Sequence, residues 1–454
     1  MTRPSPNQPS HAVAVIGGAT AGAEIAHRLA ERGIAVAVFD QNKRPYGKIE
    51  DGLPRWHVGL RTKEYANIDS KLSTGDVHFV PNTKIGEDIG FLELVREWGF
   101  SAVVLANGAW RDRPLPIEGA DAWVGKGLLY QNPFVIAFNH GEDEAYDGPT
   151  FPILDDTLVV GGGLASVDVA KIHTMTLTVE KLAERGIDVD IEQLEVKGIP
   201  KILAAHGLEW SDLGLAGATI LYRRSIEDMP VMPMPDDADE ARQKKVHAGR
   251  RRMLEKAMGK YMFTVEELAA PDSLIIEDDR VVGLVLRRTK LEAGRVVMTD
   301  ETFEQRGAAV ISSIGSIPEP IEGLPMRGEL IDYSDWEFGR IEGFPTLFAA
   351  GNVVTGKGNI VASRKHAKYV SEEAVEHYLG VGEGDDIDAI REGLGTPEGQ
   401  AAGVANSIAD ELAAQPPPNP EQVEAALDLV RKRQQAVGYG ADYKTWIAEA
   451  GTPC

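Results

Sequence analysis

The segment HAVAVIGGATAGAEIAHRLAERG, residues 11–33, decides the fold. VAVIGG is a short apolar run ending in glycine, the pattern of a strand buried in a parallel sheet. AGAEIAHRLAERG follows, with apolar residues at Ile25, Ala26 and Leu29 and with Gly33 beyond the end. That is an amphipathic helix closed by a C-terminal glycine. IAVAVFD then forms a second strand that ends in Asp40. Strand, glycine turn, helix, strand and acid, within about 30 residues, is the order of a βαβ dinucleotide-binding unit. The turn itself is GGATAG, one residue away from G-x-G-x-x-G, with Ala19 where the second glycine is expected. A plain glycine-rich turn without ligand would read similarly, but the ordered context and Asp40 favour a nucleotide.

Each residue of the turn has a physical task. Gly17 permits a tight bend, and Gly22 lets the helix approach the strand. The helix start at Ala19 to Ala21 offers N–H groups and a positive dipole end to a pyrophosphate. Asp40 can accept hydrogen bonds from a ribose.

The pattern recurs in DDTLVVGGGLASVDVAKIH, residues 155–173. Thr157 to Val160 read as a strand. Gly161 and Gly163 stand at fingerprint positions, and Ser166 replaces the third glycine. Leu164 and Ala165 open the helix. A helical insertion, roughly residues 178–214, delays the second strand, ATILYRRS, residues 218–225. That strand ends in Arg223 and Arg224. An acid there suits a free 2′-hydroxyl, whereas guanidinium groups clamp a 2′-phosphate. The second site therefore should prefer NADPH. Arg223 and Arg224 also read as solvated strand-end residues. Two such units imply hydride transfer from a nicotinamide at the second to a flavin at the first.

Composition bounds the alternatives. The chain has 454 residues, 43% hydrophobic and 26% charged, enough for two or three domains. Its net charge of −23 argues against wholesale binding to nucleic acid or anionic membrane. No apolar run approaches the length of a membrane span. The start, MTRPSPNQPS, reads as a short disordered lead. The one cysteine, Cys454, leaves no CxxC pair, intrachain disulfide or cysteine-ligated cluster, and no metal site is expected. A cytoplasmic setting is the default expectation.

Further segments fit the scheme. FSAVVLANGAW, residues 100–110, is a strand ending in a small turn at Gly108. AAVISSIGSIPEP, residues 308–320, is another strand with a glycine turn. PTLFAAGNVVTGKGNIVASRKHA, residues 345–367, reads as a strand, a glycine-rich loop and a helix. Its glycines 351, 356 and 358 would let the backbone approach a planar ring.

Together these motifs resemble the two-dinucleotide-binding flavoproteins. Within them the chain is similar to adrenodoxin reductase-like ferredoxin–NADP reductases and to the small subunit of NADPH-dependent glutamate synthase. RPYGKIEDGLP (residues 44–54), VHFVPNTKIGEDI (77–89), GLLYQNPFVIAFN (127–139) and ILYRRSIEDMP (220–230) carry the likeness over about residues 10–380. The resemblance implies an α/β protein with two Rossmann-like domains and a helical C-terminal tail. A glutathione-reductase-type FAD domain would comprise residues 10–115 and 318–380. An NAD(P) domain, residues 116–317, would be inserted in it, and residues 381–454 would be a helical extension. It assigns Gly17, Gly22 and Asp40 to FAD phosphates and ribose, and Gly47 to the flavin. It puts Gly351, Asn352, Gly358, Asn359 and Ile360 around the ring, and gives NADPH to Gly161, Gly163, Arg223 and Arg224. Asn352 departs from the family's tryptophan, and Asp40 from its longer glutamate. The glutamate synthase subunit's cysteine-rich domain is not part of this sequence.

Two acid–base candidates remain. His57 is in register with a family histidine and can steer a proton or the acceptor. It also reads as a packed loop histidine. Asp168 matches a family acid, or is a first-turn acid stabilised by the helix dipole. RQKKVHAGRRR, residues 242–252, holds six basic residues and no acid. Arg242, Lys244, Lys245, Arg250, Arg251 and Arg252 read as a docking patch for an acidic carrier such as ferredoxin or flavodoxin, or as a solvated helix face. The expected function is an FAD-dependent NAD(P)H oxidoreductase passing electrons to a carrier or partner subunit. A flavin monooxygenase and a non-catalytic flavin-bearing subunit are the alternatives.

Overall fold

The computed structural model describes residues 9–451 except 145, 233, 236, 237, 337, 338, 355–396, 416, 417 and 441. Two parallel sheets organise it. In the first, five parallel strands lie in the order Phe344–Ala349, Ala102–Leu105, Ala12–Ile16, Ala35–Phe39, Val77–Val80. Two short antiparallel strands, Tyr333–Asp335 and Arg340–Ile341, extend it beyond Phe344–Ala349.

Alternation along AVAVI and AVAVF supplies two apolar faces. Val13, Val15, Val36 and Val38 pack with Ile25, Ala26 and Leu29 of the helix Thr20–Glu31. Ala12, Ala14, Ala35 and Ala37 face the opposite layer, with Leu94, Trp98 and Phe100. The C-terminal helices complete both layers. Pro397–Ala414 and Tyr443–Ala450 join the first through Val404, Ile408 and Trp446. Pro420–Ala436 joins the second through Val423, Leu427 and Val430. The tail is therefore part of the body of this layer structure.

The second sheet runs Leu128–Tyr130, Ala309–Ser312, Thr157–Val160, Ala218–Leu221, Thr264–Glu266, all parallel. Helices Leu164–Ala183, Ile191–Lys197, Ile199–Ala205 and Glu240–Tyr261 build its main core. A three-stranded antiparallel sheet, Ala269–Glu277, Arg280–Glu292 and Arg295–Arg306, follows it.

The chain leaves the first sheet after Ala102–Leu105 and returns to it at Tyr333–Asp335, so the second sheet is an insertion in the first. At the two crossings Arg111–Asp112 pairs antiparallel with Ser316–Ile317. No helix among the described residues is long and apolar enough to cross a membrane, and none of their His, Cys, Asp or Glu groups could hold a metal.

Candidate functional site

The first glycine turn opens a cavity of about 470 Å³ at the carboxyl ends of the first sheet's strands. Ligands of open α/β sheets bind there, where the strand order reverses. Gly17 has φ +99, and a Cβ on it would lie 2.6 Å from the carbonyl oxygen of Ala106. A Cβ on Gly22 would lie 1.8 Å from the carbonyl oxygen of Gly17, so the helix can rest on the strand only at a glycine. Ala19 is the N-cap, at φ −70 and ψ −163. That conformation needs no glycine. No acid stands in the helix's first turn, so its dipole end is open to an anion.

Asp40 is buried beside the turn. Its Oδ2 accepts from the Gly18 N–H at 2.8 Å, and its Oδ1 from the Asn42 N–H at 2.9 Å. Burial pushes its carboxyl up to about 6 against those two donors. Each oxygen keeps a lone pair for a further donor.

Gly17, Ala19, Ala21, Asp40, Gly47, Gly108 and Asn352 all line the cavity. Gly47 (φ +52) and Gly108 (φ +71) adopt the left-handed backbone that favours glycine. Gly351 is close behind: a Cβ on it would lie 2.7 Å from that of Ala21. Its N–H donates to Gln400 Oε1 of the C-terminal helix. Gly358, Asn359 and Ile360 lie outside the described residues.

His57 is placed differently. It caps the helix Val58–Leu72, where its carbonyl accepts from the Arg61 N–H, and it is not part of the cavity wall. Burial holds its imidazole well below the ordinary value, the neutral form being favoured. Its neighbour Trp56 packs into the core of the inserted part. The stretch 50–57, the end of the short helix Lys48–Asp51 and the loop after it, is thus a seam between the two sheets. Asn139 Nδ2 donates to the carbonyls of Glu50, Asp51 and Leu53, each at 3.0 Å. His140 Nε2 lies 2.9 Å from Asp51 Oδ1.

The second turn is built on the same lines. A Cβ on Gly161 would lie 2.2 Å from the Ser313 carbonyl oxygen, and one on Gly162 2.2 Å from the Tyr222 ring. Gly163 is the N-cap and faces open space. Leu164 and Ala165 follow as the first helical residues, again with no acid in that turn. Ser166 is fully buried and its hydroxyl donates to the Ser313 carbonyl at 3.1 Å. Arg223 is exposed just beyond the strand Ala218–Leu221. Arg224 turns a guanidinium N–H to the Gly294 carbonyl at 3.3 Å. Asp168 is buried within the helix rather than displayed at the turn.

The basic run needs correction. It lies on the helix Glu240–Tyr261, but Arg250 is only 7% exposed and donates to the carbonyls of Met232 and Glu227. Position 250 falls on the stripe of Val246, Met253, Leu254 and Ala257 that packs inward. Arg251 is paired with Glu227 at 2.8 Å. The exposed basic residues are Arg242, Lys244, Lys245 and Arg252.

Two further residues of the cavity wall, Lys48 and Trp110, join Asn132 and Asp112 behind it, and no sequence motif singles out any of the four. Trp110 and Asn132 stood inside quoted motifs, as did Lys48. Its partners Asn132 and Ser316 are 84 and 268 residues away, so only the folded chain reveals the cluster.

Residues 11–194 match the model of the family described as pyridine nucleotide-disulphide oxidoreductase. The chain is 30% identical over 390 residues to the small chain of NADPH glutamate synthase from Mycobacterium tuberculosis, covering 83% of this chain and 68% of that protein. It is 30% identical over 186 residues to cindoxin reductase of Citrobacter braakii, covering 40% and 38%. The first curated relatives are aligned over 24–38% of their own length. Among solved structures, Mycobacterium tuberculosis FprA in complex with NADPH superposes with a TM-score of 0.63 at 18% identity, over 94% of this chain and 91% of that one. The fold is therefore the shared one of two Rossmann-like domains. Although its only cysteine is Cys454, the likeness to the glutamate synthase chain spans most of both proteins, and this chain belongs to the pyridine nucleotide-disulphide oxidoreductase family.

Proposed function

We propose that the chain is an FAD-dependent oxidoreductase that takes a hydride from NADPH and passes electrons to an external redox protein. One observation carries this reading: a single cavity runs from the turn at Gly17 and Ala19 to Ala21, past Asp40, to Gly47, Gly108 and Asn352. Its residues fit the group. The turn supports a pyrophosphate, the Asp40 carboxylate a ribose, and the glycines at 47 and 108 a close planar ring. The relatives' names, glutamate synthase [NADPH] and FprA with NADPH, point the same way.

When bound, FAD supplies the two-electron chemistry. The protein's residues bind and orient. Gly17 and the helix start hold the phosphates, and Asp40 holds the ribose. The second turn, Gly161 to Ala165, receives the nicotinamide cofactor's pyrophosphate, and Arg223 and Arg224 favour the 2′-phosphate. No side-chain acid or base is needed for the transfer, which makes orientation the main contribution. The acceptor is an acidic carrier such as ferredoxin or flavodoxin, or a redox subunit, docking at the exposed residues Arg242, Lys244, Lys245 and Arg252. The single cysteine accords with a cytoplasmic enzyme.

The test is direct. The purified protein should be yellow, and its flavin should bleach on anaerobic addition of NADPH faster than with NADH. The reduced protein should then be reoxidised by a carrier protein faster than by oxygen. Absence of bound flavin, or no bleaching by either nicotinamide, refutes the reading. Rapid reoxidation by oxygen with a small substrate consumed would instead indicate a monooxygenase.

A further inference from the structure

Lys48 follows Gly47 in the cavity wall, at the seam between the two sheets. Its ammonium is fixed by neutral oxygens. Nζ donates to Asn132 Oδ1 at 3.1 Å and to Ser316 Oγ at 3.0 Å. Asn132 is itself immobilised: Nδ2 donates to the Trp110 carbonyl at 2.9 Å and to Ser316 Oγ at 3.0 Å. Its backbone N–H donates to the Asp112 carboxylate at 3.2 Å. The Trp110 ring lies 5.5 Å from Nζ. Among the described residues no carboxylate lies within ion-pair distance of Nζ.

Four separate stretches of chain thus converge to hold one cation against the cavity. A partly desolvated charge with no direct ion-pair partner is costly unless a ligand supplies the opposite charge. Burial lowers the Lys48 amine to about 8, which still leaves most of it protonated at neutral pH. Asp112 and Asp51 oppose that lowering from nearby. Burial also pushes the Asp112 carboxyl up to about 6, weakening that competing anion below that pH.

Resting on the FAD reading above, we propose that Lys48 raises the reduction potential of the bound flavin, its ammonium opposing the negative charge the ring acquires with a hydride. In that step a C–H bond of the dihydronicotinamide breaks, and its hydrogen moves with both electrons to form an N–H bond on the flavin. The nicotinamide is oxidised and the flavin reduced. Without a second proton the ring gains one negative charge. Lys48 neither gives nor takes a proton; it is a positioned charge.

The experiment compares wild type with Lys48→Met, Lys48→Gln and Lys48→Arg. Flavin content is measured first, by absorbance of the purified proteins. The ratio of reduced to oxidised bound flavin is then read anaerobically against a reference dye of known potential. Lys48→Met is expected to lower that ratio at least tenfold at fixed dye poise, about 30 mV for a two-electron couple. Lys48→Arg should stay within about threefold of wild type, since the charge is retained. Should Met perturb the pocket, Gln keeps a donor toward Asn132 and Ser316 while removing the charge, and should show the same loss. An unchanged ratio in the flavin-loaded neutral variants, or an equal loss in Lys48→Arg, overturns the proposal. Wild-type protein that binds no flavin overturns the FAD reading instead.

Discussion

A Cβ placed on Gly47 would lie 3.0 Å from the Cβ of Ala19, so the methyl at the first turn and the glycine in the next loop share one small space. The departure from the fingerprint is thereby accommodated. Ala19 sits at negative φ and needs no glycine, whereas Gly47, at φ +52, does. Ala19→Gly should leave FAD bound. Ala19→Leu should expel it, because the added carbons enter the cavity that residue 19 lines. Gly47→Ala should be the worse of the two alanine-scale changes, adding about 1–3 kcal/mol of backbone strain at φ +52 to the contact with Ala19. The flavin-to-protein ratio after gel filtration reads all three. Full flavin in Ala19→Leu would mean that no pyrophosphate approaches this turn.

Asp40 makes a pH signature. Its carboxyl is raised from 3.8 to about 6 by burial. The folded state therefore binds a proton that the unfolded state has released between those values. Stability present at low pH is lost as pH rises through that window, to a total of about 3 kcal/mol, and is flat above it. In the flavin-free protein, urea unfolding of wild type should lose stability between pH 4 and 6 relative to Asp40→Asn. The bound ribose has the opposite preference, because its hydroxyls donate to the ionised carboxylate. FAD affinity should therefore rise through pH 6 in wild type and not in Asp40→Asn. Parallel curves for the two proteins would remove Asp40 as the source.

Much of this architecture is legible in residue order alone. VAVIGG and LVVGGG announce buried strands running into glycine turns, because a strand covered on both faces cannot alternate with polar residues. The three strands of 269–306 were harder to see, being half exposed and rich in charge. A signal did exist. Asp278-Asp279 and Ala293-Gly294 are two-residue turns at positive φ between alternating runs, the mark of tight hairpins. Arg250 was misplaced because counting basic residues ignores which face of a helix each occupies. The Lys48 cluster had no local signal, since its members meet only when both crossings of the chain come together.

The choice of nicotinamide should rest more on Arg223 than on Arg224. Arg223 is exposed beyond the strand end, while a guanidinium N–H of Arg224 is engaged by the Gly294 carbonyl. Losing a charged phosphate contact costs about 1.5–3 kcal/mol. Arg223→Ala should therefore raise the KM for NADPH by roughly 10- to 100-fold and leave that for NADH nearly unchanged. Steady-state dye reduction with both cofactors measures the ratio. Equal losses with NADPH and NADH would show that Arg223 does not meet the 2′-phosphate.

The basic helix separates docking from folding within one run of sequence. Lys245 and Arg252 are exposed two turns apart on one face of Glu240–Tyr261, while Arg250 is buried against carbonyl oxygens. Lys245→Glu with Arg252→Glu should leave the thermal midpoint nearly unchanged. It should slow reduction of an acidic carrier severalfold at low salt and flatten the salt dependence, because steering by exposed charge is screened. NADPH-driven bleaching of the flavin should not change. Arg250→Glu should do the reverse. It sets a buried carboxylate against the Met232 and Glu227 carbonyls and should cost about 3–5 kcal/mol of stability, visible as a lower urea midpoint whatever the acceptor. If the double reversal leaves carrier reduction and its salt slope untouched, the carrier docks on another face of the protein.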